Sequence, residues 1–313
     1  MYFETAGVDI NPLIPPLVAF VISFFTSMGG VSGAFLLLPF QMSFLGYTTP
    51  SVSATNQLFN IIAIPSGVYR YVKEGRMVWP LTWVVIVGTL PGVLIGAIIR
   101  VRYLPSPRNF KFFVGLVLLY IGLRMLQDIF LKKGGKEKQF SAEEEFQKMV
   151  QEFRNKKKGS KLPAVRIKEF SLFRISYDFY GRNFTINTAG IFLLSAIVGV
   201  IGGVYGIGGG SIIAPFFITF FGLPVYTVAG AALMGTFVTS VAGVAFYQAI
   251  APFYPNMAIA PDWLLGTLFG LGGTAGIYLG ARAQKFMPAK TIKLILTACI
   301  FFVAGKYIWN FFK

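Results

Sequence analysis

The chain has 313 residues, a mean hydropathy of +0.67, and 13% charged against 55% hydrophobic residues, whereas a soluble domain carries about 25% charged residues. The net charge of +16 lies between apolar runs, where cytoplasmic loops collect Lys and Arg, so no nucleic-acid partner is expected. With no His and one Cys, Cys299, disulfides, zinc sites and histidine acid–base chemistry drop out, and no enzyme activity, cofactor or metal is expected.

The first residues, MYFETAGVDINP, are acidic and lack a basic n-region, which argues against a cleaved signal peptide. Apolar segments then fall at about 12–46, 50–70, 78–100 and 109–131, and again at 187–222, 224–250, 261–283 and 290–312. From Gly7 to Tyr69 the only charged side chain is Asp9, and Ile186–Pro261 has none. Runs of about 18 or more apolar residues read as membrane spans. The fold class expected is an all-α polytopic membrane protein, multi-pass in the cytoplasmic membrane, with the lipid bilayer as its constant partner.

Segment 12–46 is too long for one crossing. As a single helix it would span about 52 Å at 1.5 Å per residue, against a hydrocarbon core of about 30 Å. It contains MGGVSG (28–33), and its counterpart 187–222 contains GGVYGIGGGS (202–211). Each segment is therefore expected to fold back at its glycines into a hairpin with a shorter return arm, beginning near Ala34 and Ser211. Non-helical backbone at membrane depth must be buried in protein or line a wet cavity, so the two bends are expected to meet at the centre.

The second segment of each half supplies polar side chains. TNQLFN (55–60) places Thr55, Asn56, Gln57 and Asn60 in an apolar stretch, and AALMGTFVTS (231–240) supplies Thr236, Thr239 and Ser240. Asn56 and Asn60 are four apart and share a helix face. Interhelical hydrogen bonding and ligand contact both suit these residues. Tyr71 and Tyr247 read as interfacial belt residues. Glycines in GVLIGA (92–97) and GIYLGA (276–281) read as close-packing positions.

Residues 132–186 are of another kind, densely charged. Ser141 with Glu144 and Glu145 resembles a capped helix start, and RIKEFSLFRISYDFYGRNFTI alternates apolar and polar residues with a turn at Tyr180-Gly181-Arg182. The expectation is a small α+β soluble insert of one helix and two or three strands.

The halves repeat one another. MGGVSG matches IGGVYG (201–206), and both precede an apolar run with one proline, at Pro39 and Pro215. Gly46 matches Gly222, Gly67 matches Gly243, and Tyr71 matches Tyr247 at the same spacing. The chain thus divides into a first repeat (1–131), the insert (132–186) and a second repeat (187–313), two four-segment units each starting with a Gly-broken hairpin. If each hairpin enters and leaves on one side, the repeats are inverted. The Lys/Arg-rich loop 70–76, insert and loop 282–293 then share the cytoplasmic side, with both termini outside. If each long segment crosses once, the repeats are parallel, and the alike basic loops 100–111 and 282–293 then agree. The inverted reading is preferred.

Duplicated carriers place substrate at the repeat interface, where paired Gly/Pro-interrupted segments point to the site. A helix N-terminus offers unpaired N–H groups and a positive dipole end, and glycine lets a ligand approach backbone. The candidate site for a small anion therefore comprises Gly29, Gly30, Gly33 and Ala34 from the first bend, with Gly206, Gly208, Gly209, Gly210 and Ser211 from the second. Thr55, Asn56, Gln57, Asn60, Thr236, Thr239 and Ser240 complete it.

The run GGVYGIGGGSIIAPF, followed by GLPVYTVAG and SVAGVAFY, resembles the sulfite exporter TauE/SafE family of membrane permeases. The resemblance covers nearly the whole chain except the insert. The first half departs from the fuller pattern: GGVSGAF lacks the GIGGG run, and Thr55-Asn56-Gln57 stands where the family often has a Gly-Thr-Ser-like stretch. The resemblance implies movement of sulfite, organosulfonates or related sulfur anions. A carrier of another small anion or metabolite, and a signalling protein sensing through the insert, are the alternatives; assembly into homo-oligomers stays open.

Overall fold

A computed structural model describes residues 1–28, 31–130, 165–179, 182–283 and 289–313. Among them are ten α-helices. The first half contributes α1 (Ile14–Met28), α2 (Ala34–Ser43), α3 (Ser51–Lys73), α4 (Trp79–Arg102) and α5 (Pro107–Phe130). The second contributes α6 (Thr188–Tyr205), α7 (Ile213–Phe221), α8 (Val225–Ile250), α9 (Trp263–Ala283) and α10 (Ala289–Phe312). Six helices are long and apolar enough to cross a membrane, whereas α1 and α2 are shorter apolar helices. The chain is a multi-pass membrane protein.

Both long apolar segments are broken. α1 ends at Met28 and α2 begins at Ala34; α6 ends at Tyr205 and α7 begins at Ile213. Gly206 caps α6 at φ +78°, a left-handed conformation that glycine adopts without cost. The chain folds back at each break. A Cβ on Gly33 would lie 2.6 Å from Ser23 Oγ, well inside α1, and one on Gly202 would meet the carbonyl of Gly208 at 2.6 Å.

Close contacts fix the helix directions. Gln57, Asn60 and Gly67 of α3 meet Gly243, Ser240 and Leu233 of α8 in reverse order, so these central helices are antiparallel. Gly115 and Gly122 of α5 meet Tyr307 and Ile300 of α10, again antiparallel. Pro16, Phe20 and Phe24 of α1 meet Gly272, Gly276 and Gly280 of α9 in the same order. Leu58, Ile62 and Ser66 of α3 meet Gly266, Gly270 and Thr274 of α9 likewise. In the other half, Gly92 and Gly96 of α4 meet Ala196 and Val200 of α6, and α4 also runs with α8, since Val85 meets Gly235 and Arg102 reaches Tyr254 just beyond α8. So α1, α3 and α9 run one way and α4, α6 and α8 the other. Helices that correspond in the sequence repeat run in opposite directions, and each half packs its first helix on a helix of the other half, α1 on α9 and α6 on α4.

Backbone contact holds this exchange together. A Cβ on Gly92, Gly96, Gly199 or Gly203 would come within 2.4–2.7 Å of backbone atoms of the facing helix. Without a hydrophobic drive between helices in lipid, small residues that let backbones touch are what hold them. Gly276 and Gly280 do the same against Phe20 and Phe24.

Part of the insert folds as a three-stranded antiparallel meander, β3 (Arg166–Phe170), β4 (Arg174–Phe179) and β5 (Arg182–Asn187). The expected insert helix near Ser141 and the residues Tyr180 and Gly181 of the expected turn lie outside the described residues. Alternation puts Ile175, Tyr177 and Phe179 on the buried face. Tyr177 hydrogen-bonds Thr227 at the start of α8 (2.9 Å), and burial pushes its hydroxyl pKa upward. Val165 N–H donates to Gly75 O between α3 and α4. At the opposite face a small hairpin pairs β1 (Tyr2–Phe3) with β2 (Val8–Asp9), and Asp262 accepts from Ala6 N–H and caps α9 at Leu265 N–H.

Candidate functional site at the paired helix breaks

The two breaks meet, and one side chain joins them. Asn56 Nδ2 donates to Ala34 O at 3.0 Å and to Gly206 O at 3.2 Å, while its Oδ1 accepts from Gln41 Nε2. One turn along α3, Asn60 Nδ2 donates to Ile207 O at 2.9 Å and to Ser240 Oγ at 3.3 Å, and its Oδ1 accepts from Ser32 Oγ. Tyr205, the last residue of α6, donates to Phe35 O at the start of α2 (2.7 Å). Asn is a poor helix former, because its side chain competes for backbone groups. Here two asparagines bond the Gly206 and Ile207 carbonyls beyond the end of α6 and the Ala34 carbonyl at the start of α2.

The second break rests on α8. Gly209 N–H donates to Thr239 Oγ1 at 3.0 Å, and the Ser211 hydroxyl donates back to Ile207 O. Ser211 was expected near the helix start; it lies in a turn, and α7 starts two residues later at Ile213. Thr236 and Thr239 hydroxyls donate to carbonyls one turn back in α8. A Cβ on Gly210 would sit 2.3 Å from Ala232 O, one on Gly209 2.4 Å from Thr89 Cβ, and one on Gly206 2.2 Å from Ser53 Cβ. The glycine run is thus pressed against α3, α4 and α8.

Among the sequence candidates, Gly33, Ala34, Asn56, Asn60, Gly206, Gly208–Gly210, Ser211, Thr236, Thr239 and Ser240 converge on this centre, all buried. Gly29 and Gly30 lie outside the described residues. Thr55 stands apart: it bonds Tyr47 (2.8 Å) and accepts from Asp262 N–H, tying the loop before α3 to the start of α9. Gln57 faces Gly243, one turn outward from the breaks.

Three buried groups escaped the sequence reading. Tyr71 and Tyr247 are fully buried rather than interfacial. Each lies beside an arginine, Tyr71 under Arg76 (4.5 Å to the ring) and Tyr247 beside Arg100. Arg76 is ion-paired to Glu74 at 2.7 Å, and Glu74 also holds Arg70. Arg100, at the edge of the basic loop 100–111, is fully buried over the Phe110 ring at 3.7 Å. The repeat spacing that pairs Tyr71 with Tyr247 was the available signal for both tyrosines.

Among the described residues no three of His, Cys, Asp and Glu come together. The centre offers amides, hydroxyls and backbone groups in a low-dielectric setting, where polar contacts are strong and unpaired ones costly. In this conformation the amide and hydroxyl donors named are bonded to carbonyls and hydroxyls of the breaks and of α8.

The chain is 21% identical over 294 residues, 91% of its own length and 92% of the relative's, to the "Probable membrane transporter protein YunE" of Bacillus subtilis (strain 168). No solved structure matches it significantly. A family model, Sulfite exporter TauE/SafE, matches residues 16–307, and the chain belongs to that family of membrane transporters.

Proposed function

We propose that this transporter moves sulfite or related small sulfur oxyanions, organosulfonates included, across the cytoplasmic membrane by alternating exposure of the joined breaks. The observation that carries the reading is Asn56, which holds both breaks in one hydrogen-bonded unit. A movement of either hairpin therefore acts on the other. The substrate set is Gly33, Ala34, Asn56, Asn60, Gly206, Gly208, Gly209, Gly210, Ser211, Thr236, Thr239 and Ser240, with Gly29 and Gly30 from the first break. Neutral donors and helix N-termini favour an anion without a fixed countercharge at the centre. The described conformation, with these groups buried and the glycine run packed, is an occluded one, and rocking of two inverted repeats about it opens either face. The insert and the loops at 70–76 and 282–293 face the cytoplasm on this reading, because they carry most of the Lys and Arg.

Labelled sulfite flux into proteoliposomes tests the reading. Saturable uptake, competed by sulfate, thiosulfate or a sulfonate, is expected, and imposed pH or sodium gradients identify the coupling ion. Flux equal to protein-free vesicles for every one of these anions overturns it.

A further inference from the structure

A second set of polar groups lies one step outward from the breaks, towards the face that carries the N-terminal hairpin. Ser53 and Gln57 are one turn apart on α3 and share a face. Gln57 packs on Gly243 of α8, and Tyr247 follows Gly243 by one turn. The Tyr247 hydroxyl lies near Ser53 and Arg100. All four side chains are fully buried. Yet both amide atoms of Gln57 and Arg100 Nε and Nη2 have no hydrogen-bond partner, and the Ser53 and Tyr247 hydroxyls have only each other within reach. Arg100 spends only Nη1, on Leu104 O.

Buried polar groups are ordinarily paired, and exceptions call for a reason. Desolvating a guanidinium without a countercharge is among the costliest choices a fold makes. The other end of the α3–α8 pair shows the ordinary solution, since Arg76 is matched by Glu74. No carboxylate meets Arg100 among the described residues. The unspent groups are chiefly donors: two guanidinium N–H sites, a phenol, a hydroxyl and an amide. They complement an anion with several oxygens, and the guanidinium fork suits two of them at once. On the outer side an open surface cavity of about 460 Å³ is lined by Val101 and Phe246, chain neighbours of Arg100 and Tyr247, though by none of the four side chains themselves. Inward, Ser53 abuts Gly206 of the second break.

We propose that Arg100, Tyr247, Ser53 and Gln57 form an oxyanion-binding subsite between that cavity and the helix breaks. An anion meets it before reaching the centre from this face, a placement that rests on the transport reading, whereas the binding itself does not. A buried arginine that merely capped α4 through Leu104 would leave affinity for anions unaffected by its removal.

The test is calorimetric titration of the purified full-length protein in detergent with sulfite, sulfate and chloride, using wild type, Arg100→Gln, Arg100→Lys and Tyr247→Phe, alongside thermal melts. Arg100→Gln is expected to weaken oxyanion binding at least tenfold, Arg100→Lys to fall between it and wild type, and Tyr247→Phe to weaken binding several-fold with its melt little changed. Should Arg100→Gln fail to fold, Tyr247→Phe decides. Wild-type affinity in the folded variants, or no anion binding by wild type, overturns the subsite. Arg100-dependent binding of sulfate without any binding of sulfite overturns the sulfite reading and upholds the subsite, whereas binding of chloride alone overturns the subsite as well.

Discussion

The two helix breaks occupy matching places in the repeat yet are built from opposite materials. The first, ending in Val31-Ser32-Gly33, works through side chains: Ser32 donates to Asn60, and Ala34 N–H donates to Ser32 Oγ. Gly33 there has φ −58°, an ordinary helical value. The second works through backbone: Gly206 and Gly208 have φ +78° and +79°, and the Gly206 and Ile207 carbonyls receive Asn56 and Asn60. It is also longer. Gly33 and Gly206 are 173 apart, whereas Pro39 and Pro215 are 176 apart, so three residues, 207–209, have no counterpart in the first half. At the places in α8 that correspond to Asn56 and Asn60 of α3 stand Ala232 and Thr236. These smaller residues leave room for the glycine run, and both asparagines of the first half serve the second. A duplicated fold thus keeps its scaffold symmetric while its centre does not stay so.

The sharpest way to break this contrast is to delete residues 207–209, which gives the second break the length of the first. The deletion removes the Ile207 carbonyl that Asn60 and Ser211 use and the N–H that Thr239 accepts. We expect complete loss of flux in proteoliposomes and a marked drop in detergent melting temperature. A deletion protein that transports at the wild-type rate would make the extra residues dispensable and the asymmetry incidental.

Next in size is Gly210→Ala, which installs the residue that the first half carries at the matching place, Ala34. At Gly210 the new Cβ would lie 2.3 Å from Ala232 O and 2.7 Å from Thr236 N, both backbone atoms of α8 that do not yield easily. Overpacking of this kind costs about 3 kcal/mol at the upper end. The expected result is insertion into the membrane with a lowered melting temperature and flux reduced tenfold or more.

Much of this architecture was legible before any coordinates, because length and charge are hard constraints in lipid. A 35-residue apolar segment cannot cross once, so the breaks at 28–34 and 205–213 followed from counting. What could not be read is what depends on contacts between distant residues. Nothing local marks Arg100 as buried, since its burial is made by Phe110 and α8. Asn56 and Asn60 stood out as polar, but that they serve carbonyls of both breaks needed the fold. The exchange of first helices between halves was equally silent, although its glycines at 92, 96, 276 and 280 were visible as packing positions.

Asn60→Ala tests the dependence of one half on the other at a smaller cost. It leaves the Ile207 carbonyl, Ser32 and Ser240 without the amide. Hydrogen bonds between membrane helices are worth about 0.6 kcal/mol on average, so roughly 2 kcal/mol is expected for the cluster. The melting temperature should fall by a few degrees, and flux should drop several-fold. Ser240→Ala, which removes one peripheral contact, should be milder by both measures; equal effects would show that the cluster does not centre on Asn60.

The smallest expected effect belongs to Gly33→Ala, the matching partner of Gly206→Ala. A Cβ at Gly33 would meet Ser23 Oγ at 2.6 Å and the Phe59 ring at 3.3 Å, both movable side chains, with backbone no nearer than 3.3 Å. The backbone there already has a helical φ, and Ala reduces the entropy of the unfolded chain, a gain of about 0.4–1 kcal/mol where no strain opposes it. The two terms nearly offset, so stability within about 1 kcal/mol of wild type and flux within a factor of three are expected. At Gly206 the same change adds a left-handed φ to a 2.2 Å clash with Ser53 Cβ, which strain of about 1–3 kcal/mol compounds. Melting curves and initial flux rates of the two variants, measured side by side, carry the comparison. If Gly33→Ala proves as damaging as Gly206→Ala, the first break is as tightly specified as the second, and the division between a side-chain break and a backbone break fails.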